Sequence, residues 1–410
     1  MQKRRFSLQK SLPGWLLALS AMSVALMGCG SDGSPDPGDP TDDLLAPPPA
    51  GQGVQFKMSA HIEPGVEGEW CQFVKAPAEA LFVNHDEVRY TQGSHHVLLY
   101  ETSYPEIPTK KENGETIDTS GVFDCSDGAT NGWKITKLVG GSQNADGTSM
   151  VNFPPDVAMP VKANAVLLMN AHYVNATTSA LDPEIRVNLH TIPEEQMKIE
   201  GDLLFMYNAF IHVPKLGESQ ARMRCQVHKD ITIQNVQSHM HARGMGYEAL
   251  EVGGDTFYTN TRWADVPVKD FGAGLQVKSG SWLDYACHYK NGEDRDVYQG
   301  PRSTDEMCML IGSYYPADPA TAQCAFDPAK PFETANIGAE WIGQGTATCN
   351  ATLMCMQQVF TKFNFEDFTR CVLGADPAVS REVSDVVQCV FTSVNPLSDC
   401  SAQFTTCSGK

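Results

Sequence analysis

The sequence is short of positive charge and of long hydrophobic runs. Its 410 residues include 30 Lys and Arg against 49 Asp and Glu, which gives a formal net charge of −19 at pH 7. A surface this acidic repels the phosphates of nucleic acids, so we expect no nucleic-acid partner. The one long apolar stretch, residues 15–27, is shorter than the ~20 residues that a transmembrane helix needs.

That apolar stretch is typical of an export signal. A basic start, MQKRR, precedes it, and it ends in LMGC at Cys29, which resembles the lipobox of bacterial lipoproteins. By that resemblance residues 1–28 are removed, and Cys29 carries a lipid that anchors the chain to a membrane. Gly30 then favours the outer membrane, on its periplasmic face or at the cell surface. An ordinary secretory signal is the alternative.

The composition predicts three further regions. Residues 29–55 are rich in Gly, Pro and Asp, which is typical of an acidic tether. Residues 56–198 and 199–332 hold short apolar stretches between turn residues and no long helical period, which predicts two antiparallel β-sandwiches. The predicted strands are 54–61, 80–83, 96–100, 165–172, 185–191, 203–211, 231–236 and 281–289.

The last region, residues 340–410, differs from the rest. It contains six cysteines, and residues 353–363 and 383–391 have apolar side chains at helical spacing. This combination predicts a small, mostly helical module stapled by disulfides.

The cysteines contain no CxxC pair, which disfavours a zinc or redox site of that type. Of the 13 cysteines, Cys29 is reserved for the lipid, and the other twelve form an even set. Export would place them in an oxidising compartment, so we expect disulfides.

Five histidines and one methionine form the most informative pattern of the chain. In chain order they are the adjacent pair His95 and His96, then His172, the spaced pair His239 and His241, and last Met307. Imidazole suits copper, and a thioether is a soft ligand that favours Cu(I) and that most zinc sites do not use. The pattern therefore predicts two copper ions, one bound by three imidazoles and one by two imidazoles and a thioether.

The spacing within each pair predicts local geometry. Residues two apart on a strand share a face, so His239 and His241 can bind one metal, with Met307 supplied by a neighbouring strand. Adjacent strand residues point to opposite faces, so His95 and His96 need a β-bulge or a strand end to bind the same ion. The remaining histidines stay unassigned.

The segments around these ligands resemble the copper type II ascorbate-dependent monooxygenases, a family that includes peptidylglycine α-hydroxylating monooxygenase and dopamine β-monooxygenase. The similar segments are HHVLL from His95, AHY around His172, HMHARG from His239, and EMC around Met307 followed by YYP. The resemblance covers roughly residues 56–330.

The resemblance implies two jelly-roll β-sandwich domains that face each other across an open cleft. His95, His96 and His172 would hold an electron-donating copper, and His239, His241 and Met307 an oxygen-activating copper. Ascorbate, or an equivalent reductant, would reduce both ions. One atom of dioxygen would enter a C–H bond of a small organic substrate, and the other would leave as water.

The resemblance also extends to disulfides and to the substrate pocket. It implies the pairs Cys287–Cys308 and Cys225–Cys324, and Cys71 and Cys125 are then the cysteines left in the first half, which we expect to pair. The peptide-amidating branch grips a substrate carboxylate with polar residues at three positions. Here those positions correspond to Gln237, Met309 and Ile311, so we expect these residues to contact a different and more apolar substrate.

Two alternatives stay open on the sequence alone. The chain would be a non-catalytic copper-binding surface protein if the fold has lost its activity, since fold does not fix function. A zinc hydrolase is disfavoured because the sequence has no HExxH segment and thioethers bind zinc poorly. The sequence does not specify the oligomeric state.

Overall fold

The computed structural model describes residues 44–144, 146–327, 329–330, 334–335 and 337–410. Within these ranges, the regular structure up to Trp341 consists of β-strands, a 3-10 turn at Glu194–Gln196 and a short helix at Pro319–Gln323, and the other helices follow. The predicted signal peptide, the lipidated Cys29 and most of the tether lie outside the described residues. No helix in the described ranges has both the length and the apolar composition to span a membrane.

The strands and helices have the following bounds. The first half contains β1 (Gly53–Ser59), β2 (Glu67–Lys75), β3 (Leu81–Tyr90), β4 (Ser94–Thr102), β5 (Phe123–Asp124), β6 (Ile135–Ser142), β7 (Val157–Val161), β8 (Val166–Val174), β9 (Glu184–Thr191) and β10 (Ile199–Glu200). The second half contains β11 (Asp202–Tyr207), β12 (His212–Val213), β13 (Glu218–Gln226), β14 (Ile231–His239), β15 (Gly244–Glu251), β16 (Thr256–Asn260), β17 (Lys269–Val277), β18 (Trp282–Lys290), β19 (Val297–Tyr298), β20 (Met309–Tyr315) and β21 (Ala339–Trp341). The helices are α1 (Pro319–Gln323), α2 (Cys349–Phe360), α3 (Phe365–Leu373), α4 (Ser380–Thr392), α5 (Pro396–Asp399) and α6 (Ser401–Ser408).

The first half is an eight-stranded sandwich with two short added strands. One sheet has the order β1-β9-β3-β7 with β10 at its edge, and the other has the order β2-β8-β4-β6 with β5 at its edge. Counting the eight principal strands along the chain, the sheets run 1-8-3-6 and 2-7-4-5, which is the jelly-roll arrangement. Apolar and polar residues alternate along β9, and the apolar ones, Ile185, Val187 and Leu189, belong to the hydrophobic core of this sandwich.

The second half repeats this topology. Its sheets have the orders β11-β20-β14-β17 and β16-β15-β18-β13, which are again 1-8-3-6 and 2-7-4-5 when the eight principal strands are counted. The sequence shows no internal repeat, so the duplication is visible only in the strand order. Two jelly-roll sandwiches are therefore confirmed.

The cysteine-rich helices are fused to the second sandwich. β21 adds to the edge of β13, where Trp341 lies opposite Met223. Above it, the Ser384 hydroxyl accepts a hydrogen bond of 3.0 Å from the Trp341 backbone N–H. Phe368 of α3 is fully buried and belongs to the same hydrophobic cluster as the sandwich core. The module thus shares one continuous core with the domain before it.

Six disulfides connect the described cysteines. Cys71–Cys125, Cys225–Cys324 and Cys287–Cys308 pair as predicted. In the helical module the pairs are Cys349–Cys407, Cys355–Cys371 and Cys389–Cys400. Because these three bridges link α2, α3, α4 and α6 to one another or to adjacent turns, the module is stapled as the sequence predicts.

The predicted strands and helices are present, with shifted ends. The strand predicted over 203–211 ends at Tyr207, because residues 208–211 turn away before β12. The helix predicted over 353–363 begins earlier, at Cys349, and ends at Phe360. Its start is set by Thr348, whose hydroxyl accepts a hydrogen bond from the Ala351 backbone N–H as an N-cap.

Candidate metal centres

The first histidine set converges on one point. His95 and His96 lie on β4 and His172 on the neighbouring β8, and one ring nitrogen from each lies within 4.8 Å of the other two. Adjacent residues share a side because the register changes here: Ser94 pairs with Tyr173 and His96 with His172, which leaves His95 as an extra residue. The β-bulge that the sequence required is present.

Two carboxylates on β2 lie behind this set, and one of them is at hydrogen-bond distance. The Nε2 atom of His172 lies 3.1 Å from a carboxylate oxygen of Glu67, and the Nε2 atom of His96 lies 3.7 Å from one of Glu69. With both Nε2 atoms turned outward, the Nδ1 atoms face the centre, where those of His95 and His96 are 3.4 Å apart. A carboxylate behind an imidazole ligand fixes its ring plane and raises its basicity.

The second set lies where β14 ends. His239 is the last residue of that strand and His241 follows in the turn, so the pair does not sit inside a strand as predicted. The two ring centroids are 5.3 Å apart. His239 Nδ1 lies 2.8 Å from the side-chain oxygen of Gln143, and His241 Nδ1 lies 3.0 Å from the backbone oxygen of Asp305. Both Nδ1 atoms act as donors in these bonds, which leaves both Nε2 atoms free for a metal.

Met307 lies in the loop before β20, not on a neighbouring strand. It lines the same cavity as His239 and His241. Tyr289 donates a hydrogen bond of 2.7 Å to its backbone oxygen, and the next residue, Cys308, is held by a disulfide. The loop is therefore held at the Met307 carbonyl and at the residue that follows it.

A buried carboxylate joins the two loops of the second set. Glu306 is fully buried and accepts hydrogen bonds from the backbone N–H groups of His241, at 3.0 Å, and Arg243, at 2.9 Å. Burial raises its pKa to about 7, while these donors and the Arg243 guanidinium act in the opposite direction. The contact holds the turn after His239 against the residue that precedes Met307.

The two sets touch each other. The ring centroids of His96 and His239 are only 5.8 Å apart. Met309 and Ile311 of β20 pack into the hydrophobic cluster of the first sandwich. The structure thus differs from the open cleft that the resemblance implies, because the sandwiches pack together at the ligands.

Gln143 bridges the two sandwiches at this contact. It follows β6 in the first sandwich, and its amide nitrogen donates to the Gln237 side-chain oxygen, at 2.9 Å, and to the Ser238 backbone oxygen, at 2.7 Å. Its amide oxygen accepts from His239. Both polar atoms of its side chain therefore bond to the end of β14.

The crowded imidazoles are neutral at neutral pH. Burial, reinforced by neighbouring imidazoles, lowers the pKa of His96 and of His239 well below the usual value. Burial also lowers the pKa of His172 and that of His241 to about 4, and lowers the pKa of His95. Neutral imidazoles keep a lone pair available, which is the form that binds metals.

A cavity of about 460 Å³ opens beside both sets and is lined by His96, His239, His241 and Met307 together with mostly apolar side chains. Met309 and Ile311 line it, as expected for substrate contacts. Gln237 does not, because its buried side chain is turned to Gln143. Among the described lining residues there is no Lys or Arg, and the acidic ones are Glu69 and Asp127.

The donor set fits copper. Five neutral imidazoles and one thioether match the soft and intermediate ligands that copper prefers, and each oriented ring has a fixed outer partner. Sequence reasoning missed those partners, which are Glu67, Glu69 and Gln143. The alternation of Glu67 and Glu69 on one strand was a usable signal, whereas nothing local links Gln143 to His239, which lies 96 residues further along.

The second half of the chain matches a known protein family. Residues 203–334 match the family described as copper type II ascorbate-dependent monooxygenase, C-terminal domain, and this segment includes His239, His241 and Met307. No curated protein sequence matches the chain.

Two solved structures are weakly similar. PNGase F, a glycosylasparaginase from Flavobacterium meningosepticum, has a TM-score of 0.29 at 7% identity over 64% of this chain and 94% of that chain. The major capsid protein P2 from bacteriophage PM2 has a TM-score of 0.27 at 9% identity over 62% of this chain and 98% of that chain. Neither similarity is high enough to bear on function.

Replacing Gln143 tests the bridge. Gln143→Ala removes the acceptor of His239, so we expect copper affinity at the second set to fall by ~10–100-fold while the first set keeps its copper. Gln143→Glu retains the acceptor for His239 but sets its second oxygen against the oxygens of Gln237 and Ser238, so we expect a smaller loss than in Gln143→Ala. Competition with a chelator measures both, with the exposed Gln196→Ala as the matched control. Equal loss at the two sets would contradict the assignment.

Lowered imidazole pKa values predict how copper binding depends on pH. Protons compete for a nitrogen only below the pKa that it has in the metal-free protein, which is about 4 for His172 and His241. Copper affinity should therefore stay nearly constant as the pH falls from about 7.5 to about 5, and decline below that. Copper titrations over this range check the expectation. A steep fall between about pH 7 and 6 would mean that the rings titrate as exposed histidines do.

Proposed function

We propose that this chain, which carries the C-terminal domain of the copper type II ascorbate-dependent monooxygenases, is a dicopper monooxygenase that hydroxylates a C–H bond of a small organic molecule. The observation that supports this most is the convergence of five imidazoles and Met307 beside one cavity. Copper bound there would supply the redox chemistry, since it cycles between Cu(I) and Cu(II). Overall, ascorbate gives two electrons, one oxygen atom enters the substrate and the other leaves as water.

The residues of the chain have separate tasks in this proposal. Glu67 and Glu69 orient two rings of the first set, whereas Gln143 and the Asp305 carbonyl orient the second. Contact between the rings of His96 and His239 gives electrons a short path from one set to the other. The half-buried Met307 supplies the soft ligand that favours Cu(I).

The cavity suggests the kind of substrate. Its lining is mostly apolar, and the described lining residues offer no cation to pair with a carboxylate or phosphate. A buried anion without a partner is strongly disfavoured. We therefore infer that the substrate carries no anionic group near the reacting carbon and is mainly apolar there, held between Met309, Ile311 and aromatic residues such as Phe205 and Tyr207.

The first experiment measures copper content and ascorbate-dependent oxygen uptake together. The wild type should bind two coppers per chain and consume oxygen with an uncharged apolar substrate, but not with its carboxylate analogue. Met307→Ala should keep the first copper, weaken Cu(I) binding at the second set and abolish uptake, because the soft ligand is lost. Met245→Ala is the control, since that side chain is 47% exposed on another strand.

Other results would change the assignment. Two coppers without oxygen uptake on any substrate would favour the non-catalytic copper-binding protein. Full activity in Met307→Ala would show that the thioether is not a ligand.

We also propose that the protein is exported and lipid-anchored at the outer membrane. The LMGC segment and the basic start support this, and an oxidising compartment agrees with the six disulfides. Cells labelled with a radioactive fatty acid should incorporate label into the wild type and not into Cys29→Ala. Label retained in the variant would exclude Cys29 as the lipidation site.

A further inference from the structure

A loop of the second sandwich lies over the first histidine set. This loop joins β16 to β17 and carries Trp263, whose indole stacks against His95 at 5.9 Å between centroids and 23° between ring planes. Trp263 is 39% exposed, so it forms the outer wall of the set on that side. A ligand of one sandwich is thus covered by a side chain of the other.

The start of the loop is held by side-chain amides. The buried Asn260 donates a hydrogen bond of 2.9 Å to the Ser238 hydroxyl, beside His239, and its side-chain oxygen accepts one of 2.9 Å from the Arg262 backbone N–H. Asn260 also donates to the Arg262 backbone oxygen. These bonds fix the chain immediately before Trp263 against the end of β14.

The end of the loop is held from both sandwiches. Asn144, which follows Gln143 in the first sandwich, donates a hydrogen bond of 2.8 Å to the Val266 backbone oxygen. Tyr258 donates one of 2.7 Å to the Pro267 backbone oxygen. With both ends fixed, the position of Trp263 over His95 is set by the fold and not by the stacking alone.

His95 is the ligand that lacks another orienting partner. His96 and His172 each have a carboxylate near Nε2, at 3.7 and 3.1 Å. Within the part of the chain that the structure describes, His95 has no carboxylate within 4.0 Å, and its one side-chain polar contact is with His96. An imidazole without an outer partner can rotate about its Cβ–Cγ bond, and this rotation changes where its Nδ1 points.

We propose that Trp263 is a positioning residue for the first copper: it fixes the ring plane of His95 by stacking and shields that ligand from water. A metal-bound imidazole carries added positive charge, which the face of an indole stabilises. Because Trp263 belongs to the second sandwich, the first set is complete only when the two sandwiches are in contact. The identity of the metal rests on the proposed function.

The test compares three variants of the full-length protein loaded with Cu(II). Trp263→Ala removes the stack, Trp263→Phe keeps a smaller aromatic face, and Trp282→Ala removes a half-buried tryptophan of the same sandwich that contacts the Arg381 guanidinium instead. Chelator competition reports the affinity at both sets. Electron paramagnetic resonance is recorded on the same variants combined with His241→Ala, so that the first set alone holds Cu(II) and its geometry is read without coupling to a second ion. Thermal unfolding shows whether each variant is folded.

We expect Trp263→Ala to alter the spectrum of the copper at the first set and to weaken binding at that copper by ~10-fold, with the affinity of the second set unchanged. Trp263→Phe should restore most of both, and Trp282→Ala should match the wild type. Unchanged spectrum and affinity in Trp263→Ala would overturn the inference, as would equal changes in Trp282→Ala, or no metal binding by the wild type.

This outcome can be separated from failure of the proposed function. A protein that binds two coppers, responds to Trp263→Ala and consumes no oxygen would contradict the enzyme and support the positioning role. An active enzyme whose copper signals are unchanged in Trp263→Ala would support the proposed function and contradict the positioning role.

Discussion

Contact between the two sandwiches at their histidines is the constraint on which the site depends. Five imidazoles lie at the interface between the sandwiches. Burial there disfavours protonation, and each ring lowers the pKa of its neighbours. Neutral rings have one donor and one acceptor nitrogen, so each needs a partner that selects which nitrogen faces the centre. Glu67, Gln143 and the Asp305 carbonyl are those partners for His172, His239 and His241, and Gln143 reaches its ring from the other sandwich. Glu69 lies 3.7 Å from His96, and His95 is stacked on Trp263 instead.

Two domains of the same topology form this interface. Both halves are jelly rolls, yet the first set lies on the sheet containing β4 and β8, whereas the second lies at the end of β14 in the other kind of sheet. The two sheets can therefore pack against each other, with Met309 and Ile311 in the core of the first sandwich. No described residue of the helical module lines the cavity beside the ligands, and the module extends the core of the second sandwich around Phe368.

The sequence predicts the parts of this structure that depend on local pattern. Alternating apolar residues mark strands such as β9, and the adjacent pair at His95 requires the bulge that is found. The resemblance supplies two disulfides, and the third, Cys71–Cys125, joins the cysteines left over in the first half. Contacts between distant segments are not encoded locally. Gln237 was expected in the substrate pocket, but Gln143 from the other sandwich turns its side chain away. The stacking of Trp263 on His95 and the contact between the two ligand sets likewise follow from packing between the halves. Periodicity and spacing in the sequence do not predict such packing.

The most direct test is the magnetic interaction between two bound Cu(II) ions. Ligands of the two sets are in ring contact, with 5.8 Å between the centroids of His96 and His239. We expect strong dipolar broadening and a half-field signal in the electron paramagnetic resonance spectrum of the doubly loaded protein. A spectrum equal to the sum of two isolated Cu(II) signals would contradict this expectation, because the two sets would then lie apart across an open cleft.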